Sequence, residues 1–254
     1  CINPLKERGL ERFQHPQHPL EMLTNGDKPT NTAYFRPALG GDMAILRGMA
    51  KFLLLWERQA QAEGKEAVFD HDFLNEHTTN VLDYLGQIDD TSWDEIVAQS
   101  GLPLVKIEQA ARMYAKGKNV IMCWAMGITQ HRHSVPTIQE IANLMLLRGN
   151  IGRPGAGLCP VRGHSNVQGD RTMGINERPP VAFLDSLERR FKFQVPRTHG
   201  HNVVEAIHAM LEGRSKVFIG LGGNFAQATP DSPRTFEALR NCDLTVQIST
   251  KLNR

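Results

Sequence analysis

Cysteine is scarce in this sequence and is not arranged as a metal-binding or disulfide motif. The four cysteines lie far apart with no CxxC among them, at Cys1, Cys123, Cys159 and Cys242. Zinc and iron–sulfur sites are usually built from closely spaced cysteines, and small secreted folds from dense disulfide frameworks. The sequence therefore predicts neither within this chain, and it favours a reducing, cytoplasmic setting.

A strong charge of one sign and long apolar runs are also absent. The formal net charge is only +2 over 254 residues, which gives no electrostatic reason to expect binding to nucleic acid or to an anionic membrane surface. The apolar runs are far shorter than the ~20 residues that a membrane-spanning helix needs, and the sequence does not open on a signal-peptide pattern. We therefore expect no nucleic-acid partner and no membrane partner.

The glycine fingerprint of nicotinamide-binding enzymes is missing as well. No Gly-x-Gly-x-x-Gly follows a predicted strand and opens a helix. His131 and His133 lie two residues apart, but no third metal ligand stands near them in the sequence, which argues against a metal site there. We therefore expect no metal bound by residues of this chain.

What the sequence does contain is a glycine-rich stretch at residues 149–169. It holds six glycines and two prolines, with charged side chains only at Arg153 and Arg162. Glycine lets a backbone come close to a ligand, and an arginine set among glycines suggests a bound anion. The alternative is a long surface loop of turn residues. The helical pattern of 135–147 argues against that alternative, because a buried helix running into the stretch would hold it in place. We predict a structureless crossover laid against a large polar ligand.

Strand and helix patterns alternate along the rest of the chain. Short apolar runs predict buried parallel strands at 119–124, 216–221 and 244–249. Apolar periodicity predicts helices at 43–56, 71–78, 93–100, 104–116, 135–147, 202–212 and 232–239. Asp42, Asp70 and Ser92 are the predicted N-caps of the first three, and Ser92 with Glu95 has the spacing of a capping box. The alternation predicts an α/β fold with mainly parallel sheets.

Residues 5–39 show no such pattern. The X-Pro pairs at His15 and His18 disfavour a helix there, and Asn25-Gly26 is typical of a turn. The sequence also begins and ends on strand-like segments, which suggests a fragment of a longer chain.

Four predicted strand ends carry glycine or polar residues. They are Asn3 and Pro4; Met126, Gly127 and Gln130; Gly222, Gly223 and Asn224; and Ser249 and Thr250. Ligands of open parallel sheets bind at the carboxyl ends of the strands, so we expect these residues to line clefts. Each also has a simpler interpretation, since a Gly-Gly pair after a strand is a common turn and a methionine is usually a core residue.

In several ordered motifs the chain resembles the molybdopterin-guanine-dinucleotide oxidoreductases, the superfamily that includes dimethyl sulfoxide reductase. The matching motifs are INP at 2–4, GGD at 40–42, ARMYAKGKNVI at 111–121, AMGITQH at 125–131, LRGNIGRPGAG at 147–157, PVRGHSNVQG at 160–169 and GGNFAQATPD at 222–231. The resemblance is strongest to the formate-dehydrogenase-like branch, in particular to its YdeP-type members, which are linked to acid resistance.

The resemblance implies two Rossmann-like lobes joined by the glycine-rich crossover, each holding one pterin dinucleotide with molybdenum between them. Residues 1–164 would belong to the first dinucleotide-binding domain and 165–254 to the second. The implied cofactor is bis-molybdopterin guanine dinucleotide. The metal ligand, and any 4Fe-4S iron–sulfur cluster, would belong to sequence upstream of Cys1. The implied partners are a small-molecule substrate and an electron-transfer protein.

The resemblance also implies roles for individual residues. Arg162 matches the active-site arginine of formate dehydrogenase, and His164 stands where that enzyme has a glutamine, which argues against formate itself. A small oxyanion or oxo-substrate follows, with Arg162 and His164 as catalytic residues. The implied cofactor contacts are Asn3, Pro4, Gly40, Gly41, Asp42, Met126, Gly127, Gln130, Gly163, Asn166, Gly222, Gly223, Asn224, Ser249 and Thr250.

Two alternatives stay open at this point. One is an enzyme that binds an ordinary nucleotide, such as NAD or thiamine diphosphate, on a similar α/β scaffold. The other is a non-catalytic protein in which the cofactor site survives only as a scaffold. A simpler interpretation of the two catalytic candidates also stays open, in which Arg162 binds a cofactor phosphate and His164 a backbone carbonyl.

Overall fold

The computed structural model describes residues 1–15, 17–24, 28–164 and 166–250. The helices are α1 (Arg8–Glu11), α2 (Pro19–Thr24), α3 (Asp42–Glu63), α4 (His71–His77), α5 (Val81–Asp90), α6 (Trp93–Ser100), α7 (Leu104–Lys116), α8 (Met126–Thr129), α9 (Ser134–Leu146), α10 (Val167–Thr172), α11 (Val181–Phe191), α12 (Val203–Leu211), α13 (Phe225–Ala228) and α14 (Ser232–Arg240). The strands are β1 (Arg12–Phe13), β2 (Lys28–Pro29), β3 (Ile121–Trp124), β4 (Gly157–Pro160), β5 (Val217–Leu221) and β6 (Leu244–Ile248).

The strands form short pairs. β1 and β2 are antiparallel, whereas β3 pairs with β4 and β5 with β6 in parallel. Within the described ranges β3 and β5 lie in separate sheets. The predicted combination of helices with parallel strands is therefore confirmed, while the Rossmann-like character of each lobe stays a prediction.

The chain divides into two compact units, Cys1–Gly163 and His164–Arg254. In the first, α3 is the central helix and packs against α5, α6, α7 and α9. Gly48 of α3 allows the close approach of α7, since a Cβ there would lie 2.6 Å from Ile107 Cγ2. The core of the second unit is smaller and is built on Ile207, Met210 and Ala238.

Helix starts follow the predicted capping residues, with one correction. Asp70 accepts a hydrogen bond from Phe73 N at 3.1 Å, and Ser92 accepts one from Glu95 N at 3.0 Å. The prediction that Asp42 is an N-cap was wrong, because Gly41 holds that position and Asp42 is the first residue of α3. An acidic residue in the first turn still favours the helix through its dipole.

The predicted structureless crossover was wrong in two places, since residues 149–169 contain β4 and the start of α10. Glycine is concentrated before β4, and the strand ends on Pro160, where the missing N–H breaks no ladder within the pair. A helix also begins at Pro19, where proline fits the first turn. The Asn25-Gly26 turn lies outside the described residues.

The strands predicted to be buried are exposed on one side. β5 alternates exposed and half-buried residues, and Val217, Ile219 and Leu221 are more than half exposed. In β3, Met122 and Trp124 pack on the helical core, whereas Ile121 and Cys123 are exposed. None of the helices in the described ranges is both long and apolar enough to cross a bilayer.

Candidate functional site

The ends of β5 and β6 form a cleft in the second unit. The two strands pair in register up to Leu221 and Ile248, and the pairing continues as Gly222 N donates to Ile248 O at 3.0 Å. Ser249 Oγ then donates to Gly222 O at 2.9 Å. The cleft is open, has a volume of about 640 Å³ and is lined by Leu221, Gly222, Gly223, Asn224, Ile248, Ser249 and Thr250. We name it the β5–β6 cleft. It brings together all five residues predicted to contact the second dinucleotide.

The two glycines of this cleft have different structural explanations. Gly222 has φ +89°, a conformation that other residues adopt only with strain. Gly223 has no positive φ, and a Cβ added there would meet nothing within 4 Å. Packing within the described protein therefore gives no reason for a glycine at 223, whereas the close approach of a ligand would give one.

The ends of β3 and β4 are also adjacent, in the first unit. Val161 N donates to Trp124 O at 2.7 Å, and the chain after Trp124 turns directly into α8. A Cβ on Gly163 would lie 2.6 Å from Met126 Sδ. Met126 therefore packs on the backbone of Gly163, and the two strand-end loops touch. We name the loops after β3 and β4, residues 125–131 and 161–163, the β3–β4 site.

Arg162 projects from this site and has no side-chain partner in the part of the chain that the structure describes. The residue is exposed, and no carboxylate or carbonyl of the described residues binds its guanidinium. An arginine that served the fold would be expected to donate to protein acceptors. The guanidinium is thus available to a planar anion, which it can bind through two parallel hydrogen bonds.

His131, in the loop after β3, acts electrostatically on Asp42, the first residue of α3. Partial burial raises the pKa of the Asp42 carboxyl, while its own backbone N–H and the charge of His131 act in the opposite direction. His131 Nε2 is buried and has no hydrogen-bond partner among the described residues. A buried polar atom without a partner is costly in free energy, so this nitrogen fits a polar ligand that the protein itself does not supply.

The glycines before α3 are explained partly by packing. A Cβ on Gly41 would lie 2.6 Å from Gln99 O, so this glycine is required by the contact with the end of α6. Gly40 has φ +82° with open space around it. Asn3 donates through Nδ2 to Leu5 O at 2.6 Å and to Tyr34 Oη at 3.3 Å. Its amide donors are therefore engaged by neighbouring protein groups.

Three further predicted cofactor contacts differ in how accessible they are to a ligand. Pro4 is half-buried after the bridge between Ile2 and Phe35. Gly127, in α8, has nothing within 4 Å of an added Cβ. Gln130 ends α8, and its N–H donates to Met126 O at 2.9 Å. Their cofactor roles stay predictions.

His164 and Asn166 open the second unit and are exposed. The carbonyl of His164 accepts from Val167 N at 3.4 Å, and Asn166 is the N-cap residue of α10 without a side-chain capping bond. Arg162 belongs to the first unit, so the idea that it shares a pocket with His164 stays a prediction. Ser165 lies outside the described residues.

Two features of the site were missed by the sequence analysis. The Asp42–His131 pair could not be seen because helix packing brings these residues together across the first unit. Cys123 and Cys159 were dismissed as scattered, yet the parallel register places them opposite each other. Among the residues that the structure describes, no three metal-ligating side chains converge.

Taken together, these features fit a long phosphate-bearing ligand better than a compact metabolite. Open glycines and polar side chains follow parallel strands in both units, and such strand-end loops commonly bind phosphates. In the described part of the β3–β4 site, His131 Nε2 and the Arg162 guanidinium add sites for polar or anionic groups.

Comparison of the sequence with known proteins identifies the family. The family model described as molybdopterin oxidoreductase matches residues 45–253. Protein YdeP of Escherichia coli O6:H1 is 45% identical over the whole chain, which covers 34% of that relative. An uncharacterized oxidoreductase of Mycobacterium tuberculosis is 47% identical, again over the whole chain and 32% of the relative. Formate dehydrogenase H of Escherichia coli is 26% identical over 82% of the chain and 29% of its own length.

The chain thus spans about a third of the length of the curated relatives it matches. The family match covers most of the chain and includes both the β3–β4 site and the β5–β6 cleft. The chain belongs to the molybdopterin oxidoreductase family.

Proposed function

We propose that the whole protein is a molybdenum-dependent oxidoreductase that binds bis-molybdopterin guanine dinucleotide and acts on a small oxyanion or oxo-substrate. The observation that carries this proposal is the placement of glycine and polar residues at the carboxyl ends of the parallel strand pairs in both units. Family membership supports the cofactor class, and the strand-end loops supply the groups that phosphates require.

Different groups of residues would hold different parts of the cofactor. In the β5–β6 cleft, 222–224, Ser249 and Thr250 would hold one guanosine diphosphate end. In the first unit, Met126, Gly127 and Gln130 would contact pterin or phosphate, and 40–42 with Asn3 the other guanosine. When bound, the molybdenum cofactor supplies two-electron redox chemistry, and the electrons require a partner protein.

Arg162 would bind and orient the substrate. Its guanidinium is exposed and has no partner among the described residues, and the residue stands two positions after the end of β4. The planar fork of an arginine matches the oxygens of a small oxyanion, and two charge-assisted hydrogen bonds fix the orientation of the anion as well as its position.

His164 would move the proton that accompanies electron transfer. A histidine titrates near neutral pH, whereas the glutamine of formate dehydrogenase cannot take up a proton there. We expect Nε2 or Nδ1 of the exposed His164 ring to accept or donate this proton, and the pH–rate profile to reflect its ionisation.

The first experiment replaces Arg162 with Lys in the whole protein and measures molybdenum content, pterin fluorescence after oxidation, and turnover of small oxyanions with an electron-carrying dye. We expect unchanged cofactor content and a fall in kcat/KM of about 10- to 100-fold, because a lysine cannot make the two-pronged contact. The control is Arg190→Lys, an exposed arginine on α11.

The possible results of this experiment separate the alternatives. Loss of molybdenum in Arg162→Lys would assign Arg162 to the cofactor instead of the substrate. Wild-type protein that is purified from a molybdenum-sufficient host without metal or pterin would contradict the proposed function and favour a scaffold. His164→Gln should move the pH–rate profile, and an unmoved profile would remove the proton-transfer role.

A second experiment tests the β5–β6 cleft by itself. Gly223→Ala adds one methyl group at a position where the protein leaves open space, so stability should be unchanged. Cofactor content should nevertheless fall, because the methyl group occupies space needed by the ligand. Gly86→Ala is the matched control, since it too has nothing within 4 Å but lies on α5. Equal cofactor content in the two variants would contradict the assignment of the cleft.

A further inference from the structure

Cys123 and Cys159 are opposite each other in the parallel pairing of β3 with β4. Neighbouring strands run ~4.8 Å apart, and directly paired residues of parallel strands point to the same face of the sheet. This register brings the two thiols near each other. Partial desolvation and, second, the neighbouring Cys159 thiol raise the pKa of the Cys123 thiol. Both cysteines are free.

Cys123 lies on the face of β3 that does not pack on the helical core, and Cys159 opposite it is half-buried. Met122 and Trp124 point towards that core and pack against it. Cys123 alternates with them and is exposed, as is Ile121 on the same side. A small oxidant can therefore reach Cys123 without any opening of the first unit.

We propose that Cys123 and Cys159 form a reversible disulfide, a redox-sensitive link between the two strands that lead into the β3–β4 site. The oxidant belongs to the class of small-molecule disulfides, of which oxidised glutathione is the probe. The spacing of the two strands falls within the Cα–Cα range of ~4.4–6.8 Å over which disulfides form.

The exchange takes place in two balanced steps. The exposed Cys123 thiolate attacks the sulfur–sulfur bond of the oxidant, which forms a mixed disulfide and releases one thiol. The Cys159 thiolate then attacks the Cys123 sulfur and releases the second thiol. Two protons leave the cysteines, and the two electrons that their sulfurs lose reduce the small disulfide to two thiols.

Exposure also makes the bond accessible to reduction. Cys123 is exposed, so a small thiolate can reach its sulfur and attack the disulfide there. The raised pKa of Cys123 makes its thiolate scarce at neutral pH, so formation should be faster at alkaline pH.

A disulfide between Cys123 and Cys159 would lie close enough in sequence to the β3–β4 site to affect it. Cys123 is three residues before Met126, and Cys159 is three before Arg162. Pulling β3 and β4 together would shift the contact of Met126 with Gly163 and the position of the Arg162 guanidinium. This effect on turnover rests on the proposed function, but formation of the disulfide does not.

The test treats the whole protein with mixtures of reduced and oxidised glutathione, blocks free thiols and digests with trypsin without reduction. Cleavage at Lys118 and Arg132 releases Cys123 in peptide 119–132, and cleavage at Arg148 and Arg162 releases Cys159 in 149–162. We expect a linked 119–132/149–162 peptide that replaces both free peptides as the mixture becomes oxidising and disappears with dithiothreitol. Amide hydrogen exchange of 125–131 should slow in the linked form.

Three serine variants complete the design. Cys159→Ser should trap glutathione on Cys123, Cys123→Ser should abolish the link, and Cys242→Ser should leave it unchanged. The proposal is overturned if Cys123 and Cys159 become glutathionylated separately without a linked peptide, or if Cys242 is linked to either of them as readily. Wild-type turnover should fall reversibly on oxidation while that of Cys123→Ser, which forms neither the link nor an adduct at this position, does not. A linked peptide in a protein without molybdenum would leave the disulfide standing and contradict only the proposed function.

Discussion

The two halves of the glycine-rich stretch differ in the contacts that their side chains make. In the first half, Asn150 is fully buried, its Oδ1 accepts from Val120 N at 3.1 Å, and its Nδ2 donates to Tyr114 Oη at 3.1 Å. Arg153 donates to Asn150 Oδ1 at 2.9 Å and to Lys118 O at 2.7 Å. These side chains use their polar groups to join the stretch to α7 and β3.

Among the described residues, the exposed side chains of the second half make no comparable contacts. Residues 161–164 and 166 are exposed, and the described residues offer no partner to the side chains of Arg162 and His164. Arg153 and Arg162 are thus the same residue type in the same sequence context with opposite surroundings. The comparison separates an arginine that the fold requires from one that a ligand can use, and the predictions below test that separation.

Asn150→Ala should have the largest effect on stability. The substitution leaves Val120 N, Tyr114 Oη and the Arg153 guanidinium with fewer partners in a buried place, and each lost bond to a buried group costs about 1–3 kcal/mol. We expect the free energy of opening of α7 and β3, measured by amide hydrogen exchange in the whole protein, to fall by about 3 kcal/mol. A fall below 1 kcal/mol would contradict the structural role of the first half.

Gly149→Ala should have the second-largest effect on stability. Gly149 has φ +58°, and an added Cβ would lie 2.5 Å from Asp70 Oδ2, whose carboxylate also caps α4. We expect a loss of about 2–3 kcal/mol in the same measurement, from backbone strain together with the clash. Gly152→Ala is the control, because φ is +79° there but nothing lies within 4 Å. Its loss should be about 1 kcal/mol, and equal losses would mean that the Asp70 contact is irrelevant.

The acid sensitivity of this anchored region should depend on Glu57. Its carboxylate is buried and accepts hydrogen bonds from Val68 N at 2.6 Å, Phe69 N at 2.9 Å and the His71 ring at 2.7 Å. Burial acts to raise the pKa of Glu57, but these bonds outweigh it and the pKa is lowered. The stabilisation is therefore present above the unfolded pKa of about 4.3 and is lost as pH falls through the lower folded pKa.

The variant Glu57→Gln tests the direction of this pH dependence of stability. The variant should be less stable than wild type by about 1–2 kcal/mol at pH 7, because an amide is a weaker acceptor than a carboxylate and adds donors that need partners. The difference should shrink below about pH 4. Unfolding midpoints of both proteins measured from pH 3 to pH 7 test it, and a difference that grows in acid would contradict the lowered pKa.

The sequence predicted the anchored parts of the molecule well because local rules decide them. The caps at Asp70 and Ser92 and the limits of α7 follow from spacing and residue type. β4 was missed because a strand of four residues with a glycine and a proline has no periodic pattern, and only its pairing with β3 makes it a strand. The Cys123–Cys159 pair was missed for the same reason.

The candidate site was predictable only in part. The glycine and polar residues after β5 and β6 were found because parallel strands end at a common edge. The buried nitrogen of His131 and its approach to Asp42 were not, since they depend on how α3 packs beside the loop after β3. Residues whose surroundings are set by a ligand carry no packing signal in the sequence.

The smallest expected effect on stability is that of Arg162→Ala. The guanidinium is exposed and makes no hydrogen bond or ion pair within the described residues, so its removal should change the free energy of opening by less than about 0.5 kcal/mol. Arg153→Ala is the matched variant from the first half. It should cost about 1–2 kcal/mol, because its bonds to Asn150 Oδ1 and Lys118 O are lost. Equal costs in the two variants would mean that Arg162 serves the fold, which would remove the reason for reserving it for an anion. A cost confined to Arg153, together with loss of turnover confined to Arg162, would sharpen the division between the two halves.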